Sequence, residues 1–336
     1  MAVRASGLVV SGAQPRAVGV RAPYAALPDA VRAWVDDTLG SPVVAVAEQV
    51  GGMSPGCATR VTCADGTRAF VKAVGTELNP DTPNLFRREA TVLGLLGSHP
   101  LWAELLASYD DGAWVALLLE DVEGTHPDLD DDREMARLLE ATDELAAVTR
   151  SRVPDPPVPD PGSGGLNDLR DFSRWSNAFD HLDEVPAHLL PGWVRERAGS
   201  LQAGVDALSA MPGAQLVHWD IRQDNLLVRP GGELVFVDWG QAGVGADWLD
   251  PLLARLERVH LPWFDDALAA SPALVRAGDG AVTSWLVGFG TFLAWRAVTA
   301  VDVNLPTLGD FRRRESARAL GAAARRLDLG GHAARC

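Results

Sequence analysis

Apolar and polar positions alternate between residues 43 and 119 in short runs bounded by turn-forming residues. Such alternation is typical of β-strands, because successive side chains point to opposite faces of a sheet. Two of the turns are Asp-Gly pairs, for which we predict type I′ hairpins with positive φ at both central residues. The predicted strands are residues 43–50, 58–63, 67–74, 105–110 and 113–119, with Asp-Gly turns at 65–66 and 111–112 and a glycine-rich segment at 51–56.

Two helices accompany these strands. Residues 1–24 show no clear period and are predicted to be a loose or partly ordered leader, whereas an amphipathic pattern predicts a helix over residues 29–39. Thr82 followed by Pro83 predicts an N-cap with proline at the first helical position, and this second helix should run to about Gly97.

Glu89 lies on the apolar stripe of the second helix. It follows Leu85 by four residues and precedes Val92 by three, so helical geometry points its carboxylate along the buried face. An unpaired charge in that position would be costly. Lys72, on the third predicted strand, is the nearest candidate partner.

The remainder of the chain is mostly helical in pattern, with one helix predicted over residues 132–148 and a small β region over 215–238. The longest uncharged apolar stretch, residues 281–295, is shorter than the roughly 18 to 20 residues that span a bilayer. We therefore predict that it is a buried helix rather than a membrane span.

Composition narrows the classes of protein that need to be considered. The 336 residues are 47% apolar and 22% charged, which is ordinary for a folded protein and excludes wholesale disorder. A net charge of −15, with no basic cluster longer than residues 312–314, disfavours nucleic acid and anionic membranes as partners. No export signal is visible, so a cytoplasmic location is expected. The three cysteines, Cys57, Cys63 and Cys336, lack the spacing of a disulfide framework or a zinc site.

One residue stands out from these averages. The basic residues divide into 29 arginines and a single lysine, Lys72. Lysine and arginine are not equivalent where a compact point charge must reach a phosphate. Composition alone leaves open that one lysine survived by chance. The residues around Lys72 in the sequence have to distinguish that possibility from a functional role.

The β region carries an ordered set of polar residues. His218 and Asp220 are followed by Asn225 five residues after Asp220, and by Asp238-Trp239-Gly240 thirteen residues after Asn225. Kinase catalytic loops have the form H-R-D-L-x-x-x-N and are followed by D-F-G across a short hairpin. The order of the whole set, combined with an upstream lysine and glutamate, is far more specific than an isolated H-x-D.

Each of these residue types suits phosphoryl transfer, in which positioning and charge neutralisation are the protein's main contributions. Asp220 would accept or orient the proton of an acceptor hydroxyl. Asn225 and Asp238 would supply oxygen ligands to Mg²⁺, a hard cation that proteins usually hold through few side chains.

The remaining groups would hold the nucleotide. Lys72 would bind the α- and β-phosphates of ATP, and Glu89 would fix Lys72. The glycines of segment 51–56, Gly52 among them, leave room for backbone N–H groups to approach phosphates, and Ser54 could add a hydroxyl donor.

At these residues the chain resembles the aminoglycoside phosphotransferase family, the small-molecule branch of the protein-kinase-like fold, over about residues 43–326. The resemblance implies an α+β bilobal fold with a small β-sheet N-lobe, one helix, and a larger, mostly helical C-lobe. It also implies adenine binding by backbone groups near Glu120 and Val122. We therefore divide the chain into a leader with a short helix (1–42), a nucleotide-binding N-lobe (43–122) and a C-lobe with the catalytic loop and acceptor site (123–336).

Three further residues gain meaning from the resemblance. Asp250, in the segment 245–251, resembles the acid that supports the family's catalytic loop. Arg222 lies where protein kinases often have a phosphate-touching lysine, and we count it with Asp220 as a candidate catalytic residue. Trp219 is a departure, because the family usually has glycine between the histidine and aspartate of this loop.

The predicted function is transfer of the γ-phosphoryl of Mg-ATP to a hydroxyl of a small molecule, such as an aminoglycoside or other antibiotic, a sugar or an amino alcohol.

A protein serine/threonine kinase is the first alternative. Only six residues separate Gly240 from Asp247 and no A-P-E follows, which leaves no room for a regulated activation loop. A non-catalytic nucleotide-binding pseudokinase is the second alternative. A metal hydrolase using His218, Asp220 and Asp238 is the third, and it leaves Lys72 unexplained. The acceptor and the oligomeric state stay open.

Overall fold

The computed structural model describes residues 19–49, 52–150, 152 and 164–327. Its first half is built on an antiparallel sheet whose strands are β1 Val43–Glu48, β2 Cys57–Cys63, β3 Arg68–Gly75, β4 Leu105–Asp110 and β5 Trp114–Leu119. Side by side, these strands lie in the order β1-β2-β3-β5-β4. The predicted strands are confirmed, with ends that differ by one or two residues. Val50, at the end of the first predicted strand, and Gly51, at the start of the glycine-rich segment, lie outside the described residues.

Both Asp-Gly hairpins are present, but the type I′ prediction is wrong. Gly66 and Gly112 have positive φ, 90° and 88°, whereas the aspartates before them do not. Asp65 accepts the Thr67 N–H at 2.9 Å, and Asp111 accepts the N–H groups of Ala113 and Trp114 at 3.0 and 2.7 Å. Because these side chains hold the turns, one left-handed residue in each is sufficient.

Each face of the sheet carries its own hydrophobic cluster. Alternation along β5 sends Leu117 and Leu119 to one cluster and Ala116 and Leu118 to the other. The first cluster includes the apolar face of α2 (Thr82–Leu96), and the second includes Tyr24, Leu27 and the inner residues of α1 (Asp29–Leu39). The helix predicted over 29–39 is confirmed, and residues preceding it are part of the same packing.

The start of α2 differs from prediction. Thr82 is the first helical residue and not the N-cap, and Asp81 before it makes no side-chain capping bond. Asn79 Oδ1 accepts the N–H groups of Asp81 and Thr82, both at 2.9 Å, and the Thr82 hydroxyl at 3.0 Å. The N–H and the hydroxyl of Thr82 are therefore both satisfied by an amide three residues earlier.

Buried thiols lie in the same sheet. Cys57 and Cys63 are free and buried in β2, and burial raises the pKa of Cys57 to about 12. These two thiols are therefore packed as small apolar residues and form no disulfide, as their spacing predicts, and Cys336 lies outside the described residues.

The second half of the described chain is mostly helical, as predicted. Its helices are α3 Asp132–Thr149, α4 Ser173–Asn177, α5 Gly192–Glu196, α6 Ala198–Leu208, α7 Leu249–Leu253, α8 Trp263–Ala269, α9 Pro272–Ala277, α10 Asp279–Thr299 and α11 Leu308–Arg326. Its short strands are β6 Asn167–Asp168, β7 Gln215–Val217, β8 Leu226–Val228, β9 Leu234–Phe236 and β10 Gly243–Gly245.

Helix α10 lies in the core of this half. Trp285, Leu286 and Val287 are fully buried, and Ser316 on α11 donates its hydroxyl hydrogen bond to the Gly290 carbonyl at 2.7 Å. Within the described ranges, α10 is the one helix long and apolar enough to cross a membrane by length and composition. Its contacts instead identify it as the buried helix predicted from the apolar stretch 281–295.

The two halves meet at the β8–β9 hairpin. Phe236 N donates to the Leu101 carbonyl at 2.7 Å, and Thr125 and Val228 exchange backbone hydrogen bonds of 3.1 and 2.8 Å. Nearby, β6, β10 and β7 form a second small sheet. The segment between β7 and β10 thus lies against the first lobe, and the architecture is the predicted α+β, bilobal one.

Candidate active site

The loop after β7 is held by a buried carboxylate. Asp250, at the start of α7, accepts the N–H groups of His218 and Trp219 at 2.9 and 3.1 Å. Burial raises the pKa of Asp250 to about 6, and the two N–H groups act in the opposite direction. This geometry is the one expected from the resemblance, in which Asp250 supports the catalytic loop.

His218 joins this loop to the strand end that precedes Asp238. Its Nε2 lies 3.1 Å from the Val237 carbonyl, and its Nδ1 accepts the Asp220 N–H at 3.3 Å. Its ring also contacts Trp239, with centroids 4.5 Å apart. Burial lowers the pKa of His218 to about 4, so the imidazole is neutral at physiological pH. His218 is therefore a positioning residue in this arrangement.

Trp219 has a left-handed backbone, with φ at 67°. Its ring lies 6.0 Å from that of Trp175 and 6.2 Å from that of Trp285, measured between centroids. A bulky residue in this region of φ costs about 1 to 2 kcal/mol. Aromatic packing thus holds a backbone conformation that glycine would adopt without strain.

This conflict between packing and strain is testable. Trp219→Gly and Trp219→Ala both lose the aromatic contacts, but only alanine keeps the left-handed strain. We expect the glycine variant to be more stable than the alanine variant by about 1 kcal/mol, measured by urea unfolding. An alanine variant of equal or greater stability would show that the backbone at this position is unstrained.

Asp220 is fixed on several sides. Asn225 donates from Nδ2 to the backbone carbonyl and to Oδ2 of Asp220, both at 2.9 Å. Arg222 Nε lies 3.2 Å from Asp220 Oδ1 and also 3.2 Å from Asp224 Oδ1. Burial raises the pKa of Asp220 to about 6, against the opposing charge of Arg222. The Asp220 side chain keeps 22% of its surface exposed, so a solute can still reach it.

Lys72 bridges the two lobes. Its Nζ lies 2.5 Å from Glu89 Oε2 on α2 and 2.9 Å from Asp238 Oδ1. The contact between Lys72 and Glu89, inferred above from a lone lysine and an inward-facing glutamate, is present. Asp238, the second partner of Lys72, lies on the other side of the cleft. Its backbone is left-handed, with φ at 67°.

The Lys72 ammonium and the Asp238 carboxylate stabilise each other's charged forms, whereas burial, helped by the like charge of Asp238, raises the pKa of Glu89. Burial acts to lower the pKa of Lys72, but the two carboxylates outweigh it and raise the pKa. Burial acts to raise the pKa of Asp238, but the Lys72 ammonium, helped by Arg222, outweighs burial and holds the pKa below its usual value. Lys72 and Asp238 are therefore both charged at neutral pH.

Helix α2 is anchored to the segment that follows Asp238 by a residue that sequence reasoning missed. Arg88, buried beside Glu89, donates from Nη1 to the Gly240 carbonyl and from Nε to the Gly165 carbonyl, both at 2.8 Å. Nothing in the spacing distinguished this arginine from a solvated one. Its contacts help to keep Glu89 and Asp238 on either side of Lys72.

The ion pair between Lys72 and Glu89 makes a specific prediction about stability. Lys72→Met strands the buried Glu89 carboxylate and should cost about 3 kcal/mol or more, whereas Glu89→Leu leaves Lys72 its contact with Asp238 and should cost less. We expect the double variant to lose clearly less than the sum of the two, as measured by urea unfolding of all four proteins. The exposed pair of Asp168 and Arg170 serves as a control and should show almost no coupling. Additive losses at Lys72 and Glu89 would contradict the pairing.

The glycine-rich segment reaches the catalytic loop across the cleft. Gly52 has a φ of 80°, and Met53 Sδ accepts a hydrogen bond from Arg222 Nη1 at 3.4 Å. The carbonyl of Ser54, rather than its hydroxyl, is engaged by Arg21 Nη1 at 2.7 Å. Gly51 lies outside the described residues. The described part of the segment therefore contacts the catalytic loop at Arg222.

The predicted adenine-binding groups lie on the connection that leaves β5. Val122 N donates to the Glu120 carbonyl at 3.1 Å, and the Val122 carbonyl accepts from Arg60 Nη2 at 3.0 Å. The Glu120 carboxylate pairs with Arg229 at 2.8 Å. The Glu120 carbonyl and the N–H and carbonyl groups of Val122 already have hydrogen-bond partners. A bound adenine would therefore have to displace those partners.

Comparison with known proteins agrees with this geometry. Residues 60–255, more than half of the chain, match the family model APH, the phosphotransferase enzyme family. No curated protein matches the chain. Among solved structures, a thermostable mutant of aminoglycoside phosphotransferase APH(4)-Ia in a ternary complex with ADP and hygromycin B aligns with a TM-score of 0.60 and 15% identity, over 90% of this chain and 99% of that one.

Two further solved structures are also similar to this chain. Choline kinase LicA from Streptococcus pneumoniae aligns with a TM-score of 0.59 and 15% identity over 88% of this chain and 98% of that one. Macrolide 2′-phosphotransferase MphH from Brachybacterium faecium aligns with a TM-score of 0.54 and 16% identity over 87% and 97%. The chain therefore belongs to the phosphotransferase enzyme family, with the bilobal protein-kinase-like fold of the aminoglycoside phosphotransferases.

Proposed function

We propose that this protein transfers the γ-phosphoryl group of ATP to a hydroxyl group of a small molecule. The observation that carries the proposal is the position of Lys72 Nζ between Glu89 and Asp238, at 2.5 and 2.9 Å. A cation so placed is already charged and oriented for a polyphosphate. On the Asp238 side of the cleft, the side chains of Asp220 and Asn225 are hydrogen-bonded to each other at 2.9 Å.

Asp220 is the proposed proton acceptor for the attacking hydroxyl. Asn225 and Arg222 hold its carboxylate at a fixed place, and 22% of its surface faces outward. Its raised pKa of about 6 suits a group that takes up a proton near neutral pH. Arg222, between Asp220 and the glycine-rich segment, is placed to stabilise charge on the transferred group.

Asn225 and Asp238 are the proposed metal-holding residues. Val237 N donates to the Asn225 carbonyl at 3.0 Å, which joins the two backbone segments that carry these side chains, and both side chains offer the hard oxygen ligands that Mg²⁺ prefers. Bound Mg²⁺ would neutralise phosphate charge. Two protein ligands leave positions for nucleotide oxygens, in keeping with the finding that the described residues hold no group of three or more His, Cys, Asp or Glu side chains suited to a metal.

Structural neighbours support nucleotide and divalent metal use. Amicoumacin kinase hAmiN, similar with a TM-score of 0.53 at 12% identity, has been solved with AMP-PNP and Ca²⁺. The APH(4)-Ia structure contains ADP. In this chain Lys72, Gly52 and Ser54 would bind the phosphates, Glu89 would orient Lys72, and the backbone at Glu120 and Val122 would bind the adenine.

A small acceptor is favoured over a protein acceptor by the path of the chain after Asp238. The chain turns at Trp239–Gln241, enters β10 at Gly243 and begins α7 at Leu249. No long loop intervenes on which a peptide could dock. The named substrates of the neighbours, hygromycin B, choline and macrolides, are all small molecules.

The experiment that tests the proposal is a screen of purified protein against hydroxylated antibiotics, sugars and amino alcohols, with ADP release as the readout. We expect ADP release to depend on one acceptor class and on Mg²⁺. Mass spectrometry should then find an acceptor that is heavier by one phosphoryl group. Nucleotide binding without transfer to any acceptor would favour the non-catalytic alternative, and phosphorylation of a peptide panel alone would favour a protein kinase.

A further inference from the structure

A short segment that precedes the first lobe is bonded to the glycine-rich segment. Residues 19–22, here called the strap, place Gly19 N 3.1 Å from the Gly52 carbonyl, and Ala22 N 3.1 Å from the Gly56 carbonyl. Gly56 N donates in return to the Val20 carbonyl at 3.1 Å. The strap therefore forms a parallel bridge to the end of the glycine-rich segment and holds that segment through main-chain bonds.

The strap is also tied to the second lobe. Val20 N donates to the Asn304 carbonyl at 3.0 Å, at a residue whose φ is 59°. Asn79 in turn donates from Nδ2 to the Val303 carbonyl at 2.8 Å. Bonds to both lobes fix the position of the strap relative to the cleft, so the side chain between Val20 and Ala22 is aimed by the main chain.

That side chain is Arg21. Its Nη1 donates to the Ser54 carbonyl at 2.7 Å, and its Nη2 lies only 2.4 Å from the point where a Cβ on Gly52 would stand. Gly52 thus leaves the space that the guanidinium occupies. Burial lowers the pKa of Arg21, and the negative charge of Asp238 acts in the opposite direction. The guanidinium remains charged and interacts electrostatically with Asp238, the carboxylate that Lys72 also binds.

Three cations consequently lie close enough to Asp238 for its carboxylate to favour their charged forms. Lys72 pairs with Asp238 at 2.9 Å, and Arg222 bonds the glycine-rich segment at Met53 Sδ at 3.4 Å. Arg21 enters beside Gly52, from the strap. A cluster of positive side chains around a glycine-rich turn is suited to a polyphosphate, and a planar guanidinium can bind two phosphate oxygens at once.

We propose that Arg21 is a phosphate-binding residue of the nucleotide site, delivered by the strap beside Gly52 of the glycine-rich segment. The proposal rests on the proposed function, since it assumes that ATP occupies the cleft. Arg21 would contact the β- and γ-phosphates, because its guanidinium interacts with Asp238, the proposed carboxylate on the metal that would neutralise them. The strap is thereby part of the nucleotide site, although it precedes the lobe that holds the rest of it.

The test compares Arg21→Ala and Arg21→Gln with wild type by calorimetric titration of Mg-ATP, Mg-ADP and AMP. Loss of a charged hydrogen-bond donor should weaken Mg-ATP binding by about 10-fold or more. Binding of AMP, which lacks the outer phosphates, should change less than about 2-fold. Arg32→Ala is the matched control, because Arg32 follows in the same N-terminal region and bonds only Ala25 and Asp29 among the described residues. Its affinities should equal those of wild type.

Several outcomes separate this proposal from others. Equal loss of ATP and AMP affinity would indicate a structural role only and would overturn the assignment, as would an unchanged ATP affinity. Tighter ATP binding by Arg21→Ala would overturn it too, because the strap would then compete with the nucleotide. Wild-type protein that binds no nucleotide would refute the proposed function itself. Because the main-chain bonds of the strap remain when the bond from Arg21 to the Ser54 carbonyl is lost, these variants should keep the wild-type melting temperature within a few degrees.

Discussion

Replacement of Asp220 by asparagine is expected to lower the rate of phosphoryl transfer by at least about 10²-fold while leaving Mg-ATP binding nearly intact. The amide keeps the size of the side chain, but it cannot take up the proton of the attacking hydroxyl. Single-turnover measurement of ADP and phosphorylated acceptor, together with a nucleotide titration, separates the chemical step from binding.

Asp247→Asn is the control for this change. Asp247 lies on the same stretch of the second lobe, its side chain is 38% exposed, and it pairs with Arg276 at 2.7 Å. The same chemical substitution there should leave both rate and affinity unchanged. Full transfer activity in Asp220→Asn would remove Asp220 from the role of proton acceptor.

Replacement of Asp238 by alanine should abolish Mg²⁺-dependent binding of ATP, because Asp238 is the proposed main carboxylate on the metal and a partner of Lys72. The melting temperature without nucleotide should change little, since Lys72 keeps its contact with Glu89. The measurement is the shift in melting temperature on adding ATP with and without Mg²⁺.

A second variant shows whether a lost Mg²⁺-dependent shift reflects lost metal binding or misfolding. Asp238 has a left-handed backbone, and asparagine tolerates that conformation better than alanine does. Asp238→Asn should therefore fold normally and still lose most of the Mg²⁺-dependent shift. A shift equal to that of wild type in both variants would place the metal elsewhere.

Much of the N-lobe follows from pattern alone. Alternation along β5 assigns Leu117 and Leu118 to opposite faces, and the structure has them in separate clusters. The pairing of Lys72 with Glu89 was also accessible, because an inward-facing charge on a helix demands a partner and the chain offers a single lysine. Local periodicity, together with the need of a buried charge for a partner, is sufficient to predict a contact when the interacting groups belong to neighbouring elements.

Other contacts were beyond sequence reasoning because they depend on where loops pass in space. Lys72 and Asp238 are separated by 166 positions, and their hydrogen bond requires both lobes to be in place. Asn79 caps α2 only because the preceding turn brings its amide back to Thr82. Arg21 lies in a segment without periodicity and is one of 29 arginines, so nothing in the sequence singled it out.

The scarcity of lysine has a practical consequence for observing the opening of the first lobe. An endoprotease specific for lysine has a single bond to cut, between Lys72 and Ala73, and would yield fragments 1–72 and 73–336. That bond lies in β3, between β2 and β5, where Lys72 is only 9% exposed. Cleavage therefore requires the sheet to open, and the appearance of two fragments reports the free energy of that opening without any label.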